Sequence, residues 1–266
     1  MISYCRLKIR KNENFAEIPL TTKSNDGEFY PFMAAISLKK AGDMGFPVRN
    51  KLPHRRALFS IFKISGESVF TLNQNHTRKV FRIKANNKPS DFEKKKGDGF
   101  VTSLSWPILG VTVADCLPLL LLSKDKKTYG LVHSGFQGTG IVESALAIFV
   151  NKLKIKPESI LAWLGPAIGS CCYLVDSVRA ADFALHFGEN TVENRLGHYY
   201  INLRQANINL LKKWGVKYIT VVEDCTSCSE ELSSFRRDGK DNFSRMLVLF
   251  GPLKKDDKEF PCSITE

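Results

Sequence analysis

The amino-acid sequence predicts an α+β fold: a single domain, residues 1–266, with a layered mixed β-sheet core of sandwich type and helices packed outside. Three observations carry this. Strand-like segments outnumber helical ones, and the helices do not alternate regularly with the strands as a doubly wound parallel sheet requires. No linker-like change of composition and no internal repeat divides the chain. With 43% hydrophobic and 25% charged residues, the chain is ordinary globular material, able to bury a sizeable core.

The first elements are short. Ser3–Ile9 and Phe29–Ala35 are strand-like pieces with polar interruptions. Val48–Ile64 reads as a helix, with Leu52, Leu58, Phe59 and Phe62 near helical spacing and Pro53 in its first turn, where a missing N–H is tolerated. Ser68–Leu72 is a short strand, and Lys79–Lys84 alternates apolar with basic residues as a half-buried strand does. Asn86–Gly97 is a polar surface loop, after which a strand begins.

The apolar run Val111–Leu122 is long enough for two short buried strands. Pro118 lacks a ladder donor and so marks a bulge or an edge just past Cys116. Tyr129–His133 is a second apolar strand, opening into Gly135, Gly138 and Gly140, a density that permits close backbone approach or a tight turn. Ile141–Leu153 is an amphipathic helix, with Val142, Ala145, Leu146, Phe149 and Leu153 on one face. A strand follows at Ser159–Leu164. Asp176 caps a helix that runs through Phe187 and stops at Gly188. Asn202 caps the most regular helix, with Gln205 placed for a capping box and Leu203, Ala206, Leu210, Leu211 and Trp214 on its apolar face. Lys217–Val222 and Met246–Phe250 are strands, and the charged tail from Lys254 is expected to fray.

Composition narrows the function classes. The longest apolar stretch, Val111–Leu122, is too short to span a bilayer and contains Asp115. The N-terminus shows no signal-peptide pattern, so a cytoplasmic protein is expected. Seven cysteines, an odd number, suit reduced thiols with a metal or catalytic role for some. Cys225 and Cys228 form a C-x-x-C without a second such pair, a weak zinc signal, Cys171 and Cys172 are vicinal, and buried packing is the default role of Cys171, Cys172 and Cys225. The net charge of +12 invites a nucleic-acid reading, but the lysines are dispersed, and Lys94–Lys96 sits beside Asp91, Glu93 and Asp98. A basic surface also favours anionic small substrates. Two strand ends deliver Cys116 and His133, which suits a Cys/His nucleophile pair or two metal ligands as well as a buried thiol beside a capped histidine.

Several short stretches stand in order along the chain. They are Asn73-Gln74-Asn75-His76, Asp98-Gly99-Phe100-Val101-Thr102, Ala114-Asp115-Cys116-Leu117-Pro118, Val132 to Thr139, Leu164-Gly165-Pro166-Ala167-Ile168-Gly169 and Ser234-Phe235-Arg236-Arg237-Asp238-Gly239. Together these resemble the purine nucleoside phosphorylase family formerly called multicopper polyphenol oxidases, or laccase-domain proteins. The resemblance runs from about 68 to 250. It implies one zinc bound by His76, Cys116 and His133, with copper the less favoured metal. It implies phosphorolysis of adenosine, inosine, guanosine and methylthioadenosine to the free base and ribose 1-phosphate, and deamination of adenosine to inosine. It raises Arg237, and Arg236 after it, as the guanidinium that holds phosphate. Asp115 either orients an imidazole or caps a turn.

Some positions depart from the family pattern. Thr77 stands where glycine is usual, Phe136 and Gln137 replace Trp and a basic residue, and Ser244 precedes Arg245 in place of glycine. Two other readings compete with the zinc enzyme: a hydrolase or deamidase with Cys116 as nucleophile and His133 as base, and a basic nucleic-acid-binding module. A multicopper oxidase needs many more histidines than the five present.

Overall fold

Leu117, Leu119 and Leu121 face one way along their strand and Leu120 and Leu122 the other, and all five are fully buried. A strand with two apolar faces needs cover on both, and that need organises the molecule. The computed structural model describes residues 1–9, 13–20, 32–45 and 53–253. The strands are β1 (Ile2–Cys5), β2 (Phe15–Glu17), β3 (Met33–Ser37), β4 (Val69–Phe70), β5 (Val80–Ile83), β6 (Gly99–Thr102), β7 (Ile108–Val113) and β8 (Leu117–Ser123). They continue with β9 (Tyr129–Ser134), β10 (Ile160–Leu164), β11 (Leu174–Val175), β12 (Val192–Arg195), β13 (His198–Ile201), β14 (Tyr218–Val222) and β15 (Met246–Gly251). The α-helices are α1 (Pro53–Ile61), α2 (Ile141–Ala147), α3 (Ser177–Phe187), α4 (Leu203–Lys213) and α5 (Phe235–Asn242).

A seven-stranded mixed sheet has the order β1-β14-β10-β8-β9-β6-β5, and a five-stranded sheet the order β2-β3-β15-β7-β4. Their inner faces meet through Leu120, Leu122, Leu131 and Trp163 from the first and Ile36, Val111, Val113, Val248 and Phe250 from the second. The outer face of the large sheet, with Leu119, Leu121, Ala162 and Val221, packs on α2 and α4. The outer face of the smaller sheet, with Val69, Leu247 and Leu249, packs on Leu58 and Phe59 of α1. The fold is α+β, and two packed sheets with helices outside match the expected layering. A small antiparallel sheet, β11-β13-β12, adjoins α3. It had no clear signal in the sequence because its strands are short and largely exposed.

Local chemistry fixes the joints. Asp176 accepts from the Arg179 N–H at 2.9 Å, and Gly188, with φ 105°, ends α3. Asn202 caps α4 by accepting from the Gln205 N–H at 3.0 Å. The expected capping box does not form, because the Gln205 amide donates to Asn209 and the Asn202 N–H goes to the Thr191 carbonyl. The helix at Ile141 continues past Ala147 as a π-helical turn, Ile148–Lys152. Pro118 lies where β10 leaves β8: Gly165 N–H donates to its carbonyl at 2.8 Å, and the proline has no N–H to return. The expected edge is therefore the end of one ladder. Val48 to Leu52, Phe29 to Pro31 and the tail from Lys254 lie outside the described residues.

Candidate active site

The long apolar run supplies a strand to each sheet. β7 belongs to the five-stranded sheet and β8 to the seven-stranded one, so Ala114-Asp115-Cys116 crosses between them. Asp115 makes the crossing with φ 85°, a left-handed conformation that is costly for a residue with a Cβ. Its carboxylate compensates locally, accepting from Thr226 Oγ1 at 2.6 Å and from the Arg236 N–H at 2.7 Å in the first turn of α5. The carboxylate thus joins the strand crossing to a helix start and orients no imidazole.

Cys116 emerges beside His133, which sits near the end of β9, opposite Pro118 in the β8–β9 ladder. His76 arrives from the loop after β4, also left-handed with φ 55°. Its Nε2 lies 3.6 Å from Cys116 Sγ, and its ring centroid is 5.0 Å from that of His133. One donor atom from each of the three residues falls within 4.8 Å of the others, so they can hold a metal ion. Gly135 makes this convergence possible, since a Cβ there would stand 2.7 Å from Cys116 Sγ and 2.8 Å from His76 Cδ2. The glycine-rich turn serves the approach of the His76 loop.

Asp98 is the group that orders the donors, and sequence reasoning gave it no role. Its Oδ1 accepts from His133 Nδ1 at 2.9 Å and from the His76 N–H at 3.1 Å. Its Oδ2 accepts from the Thr77 N–H at 2.6 Å and Thr77 Oγ1 at 2.7 Å. An ionised carboxylate only accepts, so His133 Nδ1 carries the proton and Nε2 offers its lone pair to the site. Burial pushes the Asp98 carboxyl up, but the His133 and Thr77 contacts outweigh it and hold the group below its ordinary value. Burial likewise raises the Cys116 thiol, yet His133 and His76 bring it down. His133 is lowered by burial and raised further by Cys116 and Asp98. The two shifts are mutual, since each group draws the other toward its charged form. Thr77, in place of glycine, adds a hydroxyl to the Asp98 clamp.

The three donors open into a cavity of about 660 Å³, the size of a small-molecule site. Phe136, Tyr173, Phe235 and Phe243 give it aromatic walls, and Arg179, Arg236 and Arg245 also line it. Arg245 is committed to Asp43 through a two-point fork at 3.1 and 2.7 Å. Arg179 pairs with Asp176 at 3.5 Å in an exposed setting. Arg236 lies 5.2 Å over the Tyr173 ring, and its Nη1 donates to the carbonyls of Leu174 and Cys172. Its Nε and Nη2 make no hydrogen bond among the described residues.

Arg237 does not line the cavity. Its Nε and Nη2 fork onto Asp238, Nη1 donates to the Thr226 and Ser229 carbonyls, and Nη2 also reaches that of Leu232. Every N–H of this guanidinium is used. Arg237, expected first of the two, ties a loop together, and Arg236 faces the cavity. His54, His186 and His198 lie outside the cluster, with His54 Nδ1 3.0 Å from the Ala41 carbonyl oxygen.

A family model described as multi-copper polyphenol oxidoreductase laccase matches residues 39–251. The chain belongs to this family. Among its laccase-like relatives, a purine nucleoside phosphorylase of Aquifex aeolicus is 33% identical over 202 residues, covering 75% of this chain and 89% of the relative. Purine nucleoside phosphorylase YlmD of Geobacillus stearothermophilus is 30% identical over 249 residues, covering 87% and 88%. The crystal structure of that YlmD superposes with a TM-score of 0.76 at 25% identity, over 91% of this chain and 97% of YlmD. The YfiH structure from Bacillus licheniformis gives 0.74 at 26%, over 84% and 94%. No helix among the described residues is long and apolar enough to cross a membrane.

Proposed function

We propose that this laccase-like chain is a zinc-dependent purine nucleoside phosphorylase that also deaminates adenosine. The observation that carries the reading is the convergence of His76, Cys116 and His133 at an aromatic cavity beside a guanidinium with donors to spare. A tetrahedral ion with zinc–sulfur and zinc–nitrogen bonds of about 2.3 and 2.0–2.1 Å sets its sulfur and nitrogen ligands about 3.6 Å apart. The His76 Nε2 to Cys116 Sγ spacing of 3.6 Å fits that ion. When bound, zinc supplies Lewis acidity and an activated water, which suits hydrolytic deamination. The names of the relatives support the nucleoside substrate and the use of phosphate.

The chain's own residues do the rest. Phe136, Tyr173, Phe235 and Phe243 offer apolar surface to a purine, and Arg236 offers Nε and Nη2 to phosphate as a fork. In phosphorolysis a phosphate oxygen bonds to C1′ of the sugar while the C1′–N9 bond breaks. The base leaves with the electron pair and takes up a proton. Asp98 keeps His133 in one tautomer throughout, and Gly135 keeps Cys116 and His76 within reach of each other.

The same trio carries a second reading. Cys116 with its lowered thiol pKa, His133 and Asp98 form a nucleophile, base and orienting acid, the layout of a cysteine hydrolase. His76, placed against the same sulfur, favours the metal instead. The deciding experiment incubates metal-analysed protein with adenosine, inosine and methylthioadenosine, with and without phosphate, and separates the products by chromatography. Phosphate-dependent release of base, lost together with bound zinc in Cys116→Ala, supports the proposal. Zinc-free protein that is fully active and is silenced by thiol alkylation moves the assignment to the hydrolase.

A further inference from the structure

Four more cysteines, none of them in the cavity, gather at the surface where two loops meet. Cys171 and Cys172 follow the Gly-Pro-x-Ile-Gly turn, and Cys225 and Cys228 follow β14. Cys171 Sγ lies 3.6 Å and Cys172 Sγ 3.4 Å from Cys228 Sγ, and all four sulfurs fall within 4.8 Å of one another. All four thiols are free, and Cys171 and Cys228 are exposed, which buried packing of an apolar thiol does not explain. The vicinal pair, rather than a second C-x-x-C, completes the group.

We propose that Cys171, Cys172, Cys225 and Cys228 form a second metal site, a closed tetrathiolate that holds one zinc ion in a structural role. A tetrahedral ion with zinc–sulfur bonds of about 2.3 Å places its sulfurs about 3.8 Å apart, and the spacings here are close to that edge. Four sulfur donors select zinc-like ions over magnesium or calcium. An iron–sulfur cluster spreads its cysteines around inorganic sulfides and does not suit sulfurs this close.

Cys225 Sγ accepts the Gly169 N–H at 3.1 Å, and the Cys228 N–H turns back onto the Cys225 carbonyl at 3.2 Å. Gly169 eases the closure, because a Cβ there would crowd the cluster at 3.0 Å from Cys171 Sγ and 3.4 Å from Cys225 Cβ. An Ala167–Cys225 bridge already aligns the two loops.

The ion would join the two loops that shape the cavity. One carries Ile168 and Tyr173 of its wall. The other carries Thr226, which binds Asp115, and the carbonyls that hold Arg237. This role is independent of the reaction proposed for the cavity, and it can stand or fall without it.

The test uses the full chain carrying Cys116→Ala, which removes a donor from the cavity site and leaves the four cysteines intact. The protein is stripped with a chelator under reductant and titrated with Co2+. One tightly held Co2+ per chain is expected, with thiolate-to-metal charge transfer and the visible bands of a tetrahedral tetrathiolate, both displaced by Zn2+. Adding Cys171→Ser and Cys228→Ser should abolish them. In the chain with Cys116 intact, the two serines alone should lower bound zinc by one equivalent while circular dichroism stays unchanged. No charge-transfer band in the reduced Cys116→Ala protein, or an unaltered spectrum after both serines, overturns the proposal. So does a disulfide among these cysteines in protein isolated under reductant, read by intact mass after alkylation.

Discussion

Replacing Asp98 with asparagine tests whether the metal site depends on a group that touches no metal. Asparagine keeps the shape and one acceptor oxygen but turns the other position into an NH2 donor. If the oxygen stays toward His133 Nδ1 and the His76 N–H, the new donor meets Thr77, whose N–H and Oγ1 now lie 2.6 and 2.7 Å from Asp98 Oδ2. The hydroxyl can rotate to accept, and the N–H cannot. The Asn75 N–H, 3.3 Å from the same oxygen, is stranded with it; each such backbone donor costs about 1–3 kcal/mol, and the bonds that remain lose their charge assistance. If the amide flips instead, the NH2 faces His133 Nδ1, and the imidazole shifts its proton to the nitrogen needed by the metal. Either outcome loosens the donors, and loss of an outer partner of this kind typically costs about 10–100-fold in metal affinity. We expect a zinc affinity lowered by that factor in competition with a chromophoric chelator, together with a lower Tm. Unchanged zinc affinity in a folded Asp98→Asn protein would refute the role given to Asp98.

Two further substitutions probe the same site. Arg236→Ala should raise the KM for phosphate with little loss of Tm, reducing phosphorolysis at low phosphate by roughly one to two orders of magnitude, from about 1.5–3 kcal/mol per charge-assisted contact. Arg237→Ala should lower Tm and depress both reactions together, because its side chain holds Thr226, Ser229 and Leu232 in place; a selective phosphate defect in that variant would return the anion site to Arg237. Gly135→Ala should cut zinc binding by about tenfold or more in a folded protein, since its Cβ would stand 2.7 Å from Cys116 Sγ; equilibrium dialysis with wild-type zinc content would show that the turn relaxes.

Much of the scaffold was legible because its signals are local. The unbroken apolar run of β7 and β8, the Asp176 and Asn202 caps and the Gly188 stop each depend on neighbours within a turn or two. The donor trio was legible through motif resemblance, which stands in for contacts that join residues 76, 116 and 133. The orienting carboxylate was not legible: Asp98 meets His133 and Thr77 only after β5, β6 and β9 align side by side. The two adjacent arginines could not be ranked because their roles depend on α5, which starts at Phe235, is poor in apolar residues and contains Gly239 at φ 74°. The sequence reads as a turn there, and neighbours on a helix point in different directions.

The strand order carries a cost in time. β1 pairs in parallel with β14, Ile2 opposite Ile219, and β3 pairs with β15, Met33 opposite Gly251. Neither large sheet can be completed until almost the whole chain is available, and contacts of such separation close slowly against loop entropy. During synthesis the leucine-rich β8 and β9 therefore emerge well before the C-terminal strands that complete their cover. The nascent chain exposes apolar β-hairpin surface for longer than the finished molecule ever does, which makes the ribosome-bound half the aggregation-sensitive stage of this protein's life.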